Sequence, residues 1–289
     1  MIPTITRALS VLRAVPALPL ERKIPLAERA VRPVKVNPII RLLDATPPGL
    51  ARRLGSDTLL SRIARPVVNA AVGRRDLVWV TVRSGPAAGL HMLIDPSQEK
   101  YYWSGVHELA VQTELTRLLR PADTFWDVGA HVGLFTLVAS RVLGHTGVCR
   151  CFEPSPANRA RLESILDRNG VVADVHPEAI ADRAGTLTLV PHESSLMGRV
   201  TDDPDTEGVA VRASTLDLLA HRLGPPDVVK VDAEGSEVSA LRGAPRLIDR
   251  RETTFVVELM DDLACAEAVE LTPGFTFRRI TPRHWVISP

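Results

Sequence analysis

Aromatic residues are scarce in this chain, 4% of its 289 residues, and no basic patch is interleaved with them. That absence argues against a nucleic-acid reader, which stacks bases on aromatic faces between phosphate-gripping cations. Lysine is scarcer still: Lys23, Lys35, Lys100 and Lys230 are the only four, so arginine carries most of the positive charge. No stretch approaches the roughly 18 uninterrupted apolar residues of a membrane-spanning helix. The opening MIPTITRALSVLRAVPALPLERK faintly resembles a signal peptide, but Arg13 and the prolines interrupt its apolar run and no convincing cleavage site follows. The three cysteines, Cys149, Cys151 and Cys265, form no CxxC pair. The first two alternate in VCRCF, a strand pattern, and read as small core side chains in a reducing cytoplasm. Histidines at 107, 145, 176, 192, 221 and 284 are scattered without HxxxH or HxH spacing, which leaves zinc without support.

What the chain does contain is ordinary for a globular protein, 45% apolar and 24% charged residues. Its net charge of +1 hides a division. Residues 1–75 carry 14 Lys+Arg against 4 Asp+Glu, a balance of +10, together with nine of the 23 prolines; the remainder carries 21 against 30, a balance of −9. The reading is a basic, partly helical arm over residues 1–75 and a domain over 76–289, with a hairpin and lead-in helix in 76–120 and the core in 121–289. Packing or a homo-oligomer contact is the plainest use for such an arm. Anionic membrane surfaces, polyanions and the acidic remainder of the chain are the others. The expected location is the cytoplasm, with the inner membrane surface as a peripheral alternative.

From residue 76 onward strand and helix signals alternate. LVWVTV and LHMLI flank SGPAAG as a hairpin, VHELAVQTELTRLL has helical spacing up to Pro121, and TFWDVG is a strand. GLFTLVASRVLG is a helix closed by Gly144, and GVCRCFE is a second strand. In SPANRARLESILDRNG, Ser155 is the N-cap, Pro156 opens the first turn and Gly170 ends the helix. ADVHPEAI and TLTLVP read as strands around a turn at Asp182–Gly185, and STLDLLAHRLG as a capped helix. DVVKVD is a buried strand, GSEVSALRGAPRLI continues as a helix and TTFVVEL is another strand. TFRRIT and HWVISP close the chain as a strand pair about Pro282. The pattern predicts a doubly wound α/β sheet with ligands at the carboxyl ends of its strands.

TFWDVGAHVGLFTLVAS carries the first chemical signal. Glycines after a strand let a ligand approach the backbone, and the helix that follows offers free N–H groups and positive potential. A dinucleotide site wants G-x-G-x-x-G there. Here the spacing is Gly129-x-x-x-Gly133, with Asp127 two residues before the first glycine. A carboxylate at that point repels a pyrophosphate and suits the ammonium of a methionine moiety. Twenty residues past Gly133, at the end of the next strand, Glu153 can accept both hydroxyls of a ribose. Together Asp127 and Glu153 favour S-adenosylmethionine over NAD; the alternative is that both acids merely cap helices.

DVGAHVG, FEPSPAN, STLD, VVKVDAEGSE, LRGA and FVVEL follow in the order seen in the FkbM family of S-adenosylmethionine-dependent methyltransferases. The chain resembles that family from about Tyr101 to Pro289, most strongly between Asp127 and Glu258. The resemblance implies a class I, Rossmann-like methyltransferase fold, a seven-stranded sheet with the last strand antiparallel. It implies O-methylation of a small hydroxylated acceptor: a sugar, a glycolipid, or a sugar-bearing, polyketide or peptide metabolite. On this resemblance Asp127, Gly129, Ala130, His131 and Gly133 hold the methionine end of the cofactor. Glu153 holds the ribose, with Pro154 and Ser155 behind it, and the Asp182 turn borders the adenine. His131 stands where the family usually carries Asn and is expected to be neutral beside a sulfonium.

Lys230, Glu234 and Glu258 are placed toward the acceptor, although Lys230 reads equally well as a structural lysine. Asp232, Glu234 and Glu258 could together hold a divalent ion, since hard cations take clustered carboxylates. Asp232 is the first choice for the base that takes the hydroxyl proton, and His131 the second. Two other classes stay open. A dinucleotide-dependent oxidoreductase lacks its glycine fingerprint here, and a degenerate methyltransferase-fold binding protein would have lost the acids that this chain keeps. Methylation of an adenine amino group wants [DN]PP[YF] after the fourth core strand, where DAEG stands.

Overall fold

The computed structural model describes residues 45–55, 77–96, 98–191, 198–203 and 205–289. The chain divides into two compact units, 1–35 and 36–289, and every described residue belongs to the second. Apart from residues 45–55, the basic arm expected over 1–75 lies outside the described residues. No described helix is long and apolar enough to cross a membrane.

The first described element is helix α1, Pro48–Gly55. Strands β1, Val78–Thr81, and β2, His91–Ile94, form the anticipated antiparallel hairpin. A short helix α2, Lys100–Ser104, and the longer α3, Leu109–Leu118, lead into the core. There the elements alternate: β3 Thr124–Val128, α4 Leu134–Leu143, β4 Val148–Phe152, α5 Pro156–Asn169 and β5 Asp174–His176. A side layer follows, with β6 Ala179–Ile180, β7 Gly185–Pro191, β8 Gly198–Thr201 and β9 Val209–Ser214. The chain then returns through α6 Leu216–Leu223, β10 Val228–Val231, α7 Glu237–Arg242, α8 Pro245–Arg250 and β11 Thr254–Glu258. It ends with α9 Asp262–Leu271, β12 Thr276–Arg279 and β13 His284–Ser288.

Seven of these strands form the main sheet in the order β12-β13-β11-β10-β3-β4-β5. β3, β4, β5, β10 and β11 run parallel, and β13 lies antiparallel between β11 and β12. Strand order reverses between β3 and β10, which places a crevice at their carboxyl ends. The central strands are apolar on both faces because helices cover both, and all four residues of β10 are buried. The scarce aromatics go to this core: Phe125, Trp126, Phe152 and Phe255 are almost wholly buried. Outside the β1–β2 hairpin, the other four strands form a second sheet in the order β6-β9-β7-β8.

Capping explains where several helices begin. Ser155 Oγ accepts from Asn158 N with Pro156 in the first turn, and Thr215 Oγ1 accepts from Leu218 N. The single helix expected in GSEVSALRGAPRLI is instead two, α7 and α8. Pro245 has no N–H to continue the ladder. Gly243 lies so close to its surroundings that an added Cβ would sit 2.3 Å from the Ala181 carbonyl oxygen. Helix α9 and strands β8 and β9 went unanticipated; of α9 only Ala268 is buried, so no apolar stripe announces it.

One buried ion pair ties the hairpin region to the core. The Arg161 guanidinium on α5 donates to Glu99 Oε1 at 3.1 Å, to Glu99 Oε2 at 2.7 Å and to the Leu93 carbonyl at 2.6 Å. Glu99 is fully buried and also accepts from Asp95 N at 2.7 Å. It immediately precedes α2 and so fixes where Tyr101 and Tyr102 stand. Arg161→Met should cost about 3–5 kcal/mol in urea denaturation by stranding that carboxylate, and adding Glu99→Leu should recover much of the loss.

Candidate active site

A cleft of about 670 Å³ opens at the carboxyl ends of β3, β4, β10 and β11. Gly129, Ala130, His131, Glu153, Pro154, Ser155, Lys230, Asp232, Glu234 and Glu258 all line it. Asp127 and Gly133 do not line it; they shape it from behind.

The turn after β3 is held by close approach. Gly129 has φ +72, and a Cβ there would sit 1.9 Å from the Asp232 carbonyl oxygen, so the ends of β3 and β10 meet backbone to backbone. Gly133 caps α4 at φ +87, with Leu162 packed where a Cβ would stand. Between them His131 adopts φ +49 and donates its N–H to Glu153 Oε2 at 2.9 Å. Glu153 Oε1 accepts from Ser155 N at 2.9 Å. Burial lifts the Glu153 carboxyl above its ordinary range, and these hydrogen bonds oppose the lift. Asp182 does not line the cleft; its amide donates to Ser239 Oγ at the surface.

Lys230 is the centre of charge. Its side chain is buried, with Nζ 3.4 Å from Asp127 Oδ1, 3.3 Å from Asp232 Oδ2 and 3.2 Å from the Gly129 carbonyl oxygen. Nζ also stands 4.8 Å from the centre of the Phe135 ring. Burial alone would release the Lys230 proton, but Asp232 and Asp127 hold it more tightly than in water. Asp127 Oδ2 accepts from the Thr136 hydroxyl at 2.7 Å. Its carboxylate therefore meets an ammonium of the protein itself.

Asp232 and Glu258 share a hydrogen bond and divide their protons unequally. Burial works to raise the Asp232 carboxyl, yet Lys230 and the bond from Glu258 outweigh it and hold it below the ordinary range. Burial and the Asp232 charge push Glu258 up to about 8, against the opposing pull of Arg283. Arg283 stands 3.4 Å from Glu258. Glu234, expected with these two, is exposed at φ +49. Glu237 takes its place: ligand-capable oxygens of Asp232, Glu237 and Glu258 lie within 4.8 Å of one another. Glu237 accepts from Ala233 N and Gly235 N, which commits it to shaping the loop. Of the three, Asp232 is the one paired with Lys230.

The opposite wall was not foreseen. Tyr101, Tyr102, His107 and Glu108 line it. The His107 ring stacks on Tyr101 at 4.6 Å, and burial lowers its imidazole to about 4, so it is neutral. Tyr102 Oη lies 3.1 Å from His131 Nδ1, joining the two walls. The doublet YYW was the available signal, because adjacent tyrosines are conspicuous in a chain with only two.

The raised Glu258 has a consequence for stability. Its carboxyl protonates at about 8 when folded against an ordinary value of 4.5. The stability it contributes is therefore present below about pH 4.5 and is lost as pH rises through 8. Glu258→Gln keeps the shape without the charge, so wild-type Tm should fall more steeply than the variant's between pH 6 and 9.

This strand order, with glycines and acids gathered at one carboxyl edge, defines the class I methyltransferase fold. Residues 127–270 match the methyltransferase FkbM domain. The 31-O-demethyl-FK506 methyltransferase FkbM of Streptomyces tacrolimicus is 32% identical over 195 residues, covering 55% of this chain and 74% of that protein. Hexuronic acid methyltransferase AglP of Haloferax volcanii is 28% identical over 146 residues, covering 48% of this chain and 58% of that protein. A solved structure, methyltransferase FkbM from Methylobacillus flagellatus KT, is similar at a TM-score of 0.42 and 18% identity, over 68% of this chain and 56% of that one. The chain belongs to the FkbM methyltransferase family.

Proposed function

We propose that the protein transfers a methyl group from S-adenosylmethionine to a hydroxyl of a small oxygenated acceptor, a carbohydrate in the first instance. The observation that carries this reading is the single cleft that joins Glu153 at the end of β4 to the Lys230–Asp232 pair at the end of β10. The FkbM relative is named for an O-methylation and AglP for a sugar acid, which supports an oxygen nucleophile on such an acceptor.

S-adenosylmethionine, when bound, supplies an electrophilic methyl group beside a positive sulfur. The residues present fit it. Glu153 is fixed by two backbone N–H groups and keeps further lone pairs for ribose hydroxyls. The Gly129–Gly133 turn lets a ligand approach the backbone at the start of α4. Asp127 acts through Lys230, which neutralises it and holds Asp232. Asp232 stays ionised and can accept a hydrogen bond from the acceptor hydroxyl, fixing its direction of approach.

Calorimetry should show S-adenosylhomocysteine binding, with Glu153→Ala losing about 2–3 kcal/mol through charged hydrogen bonds. Binding of NADH without S-adenosylhomocysteine would sink the assignment. Asp232→Asn should keep that affinity within a few-fold while turnover on labelled polar and glycolipid extracts falls at least about 100-fold. His131→Asn should cost less than about tenfold, since Asn tolerates the left-handed backbone at this position. If Asp232→Asn turns over normally and His131→Asn is inactive, the orienting role given to Asp232 belongs to His131 instead.

A further inference from the structure

An ionised carboxylate held below its ordinary range orients a hydroxyl well but retains its proton poorly. The hydroxyl proton therefore needs a second destination. We propose that Glu108 is the catalytic residue that takes the acceptor's proton, and that His284 is the positioning residue that holds it. The proposal rests on the methyl-transfer reading above.

Glu108 lines the cleft on the wall facing Asp232 and Glu258. It caps α3 in the left-handed region, φ +43 and ψ +44, and its side chain makes no cap hydrogen bond. A backbone conformation that L residues avoid is thus kept without the usual helix-capping return. Glu108 Oε2 is buried and has no hydrogen-bond partner among the described residues, and His284 Nε2 is in the same condition. These two atoms stand 3.5 Å apart.

The tautomer of His284 follows from its other nitrogen. Thr281 Oγ1 accepts from His284 N at 3.0 Å and from Arg283 N at 3.3 Å. Its own proton is then left for His284 Nδ1, 2.8 Å away. A neutral imidazole with Nδ1 accepting carries its proton on Nε2, the nitrogen 3.5 Å from Glu108 Oε2. Burial keeps that ring neutral by lowering its affinity for a second proton. His284 is 6% exposed and sits on β13 opposite Glu258, so the donor is fixed by the sheet. Holding Oε2 leaves Oε1 of Glu108 for the cleft.

The proton affinity of Glu108 suits the task. Burial raises its carboxyl to about 7, with Asp232 and Glu234 adding to the rise and Lys230 and Arg283 opposing it. Glu258, Tyr101, Tyr102 and His107 are the other titratable groups around it, and the charge of Glu108 raises Glu258 and both tyrosines in turn. In the step, the hydroxyl O–H bond breaks toward Glu108 Oε1 and the freed oxygen pair forms the new O–CH3 bond. The C–S bonding pair passes to sulfur, which leaves as a neutral thioether. With 24% of its side chain exposed, Glu108 returns the proton to solvent.

The test uses the full chain with labelled histidine. In wild type the His284 ring resonance should report the Nε2–H tautomer and shift with an inflection near pH 7; Glu108→Gln should abolish that inflection. His284→Gln controls the assignment. Methyl transfer from labelled S-adenosylmethionine to polar and glycolipid extracts should rise through pH 7 in wild type. Glu108→Gln should lower it at least 30-fold and remove that limb, leaving S-adenosylhomocysteine affinity within about twofold. Glu108→Asp, which keeps the charge, should recover part of the rate. A His284 curve unchanged by Glu108→Gln overturns the pairing, and an unchanged pH–rate profile overturns the proton transfer. Failure of wild type to bind S-adenosylhomocysteine or to methylate any extract defeats the underlying reading, while the resonance still judges the pairing.

Discussion

The ammonium of Lys230 is the interaction on which this site depends. An unpaired charge in such a place would be severely unfavourable, and two carboxylates, one carbonyl oxygen and an aromatic face compensate for it. The same contacts join the ends of β3 and β10, the two strands between which the sheet changes direction. Remove the lysine charge and Asp127, fully buried, loses the one cation that pairs with it among the described residues. The lysine is therefore structural in location and functional in effect: it is what lets a carboxylate stand ionised at the end of β10.

That pairing organises the acids around it. Asp232 lies nearest the ammonium and keeps its charge; Glu258, one strand farther, meets the charge of Asp232 and is pushed up to about 8. Glu108, across the cleft, is raised to about 7. Three carboxyl groups with similar intrinsic chemistry thus hold protons with different strength, and burial and neighbours alone make the difference. Perturbed groups gathered in one crevice are a frequent mark of acid–base chemistry, though ion-pair networks produce them too.

Much of this was legible in the chain. Apolar runs bounded by capping residues located the parallel strands, and the Ser155 and Gly170 signals were read at their helix ends because caps are local chemistry. Local signals also misled. GSEVSALRGAPRLI has helical spacing on both sides of Gly243, and the missing N–H of Pro245 together with the approach of Ala181 to Gly243 divides it. Glu234 and Glu237 are both acidic and close in sequence; the left-handed backbone at Glu234 turns it to solvent and leaves Glu237 inside. Asp127 is expected from the sequence at the cofactor's methionine end but stands behind the cleft, and its partner was not legible, because Lys230 lies 103 positions away in sequence. Glu108 was hidden for the same reason: its chemistry comes from β10, β11 and β13, all distant in the chain.

Backbone strain points to the same surface independently of charge. Among the described residues, five other than glycine have positive φ: Glu108, Ala122, His131, Glu234 and Arg251. Three of them, Glu108, His131 and Glu234, line one cleft. Left-handed backbone at such residues costs about 1–3 kcal/mol each, so the surrounding structure must impose it. At His131 the imposed geometry turns a backbone N–H onto Glu153 and a ring nitrogen toward Tyr102. At Glu108 it delivers a carboxylate to the facing wall instead of to its own helix. An isolated outlier is commonly a turn; at one cleft whose floor is an ion-paired lysine, two of the three direct their groups between the facing walls and the third, at Glu234, turns its own side chain to the rim and leaves Glu237 inside.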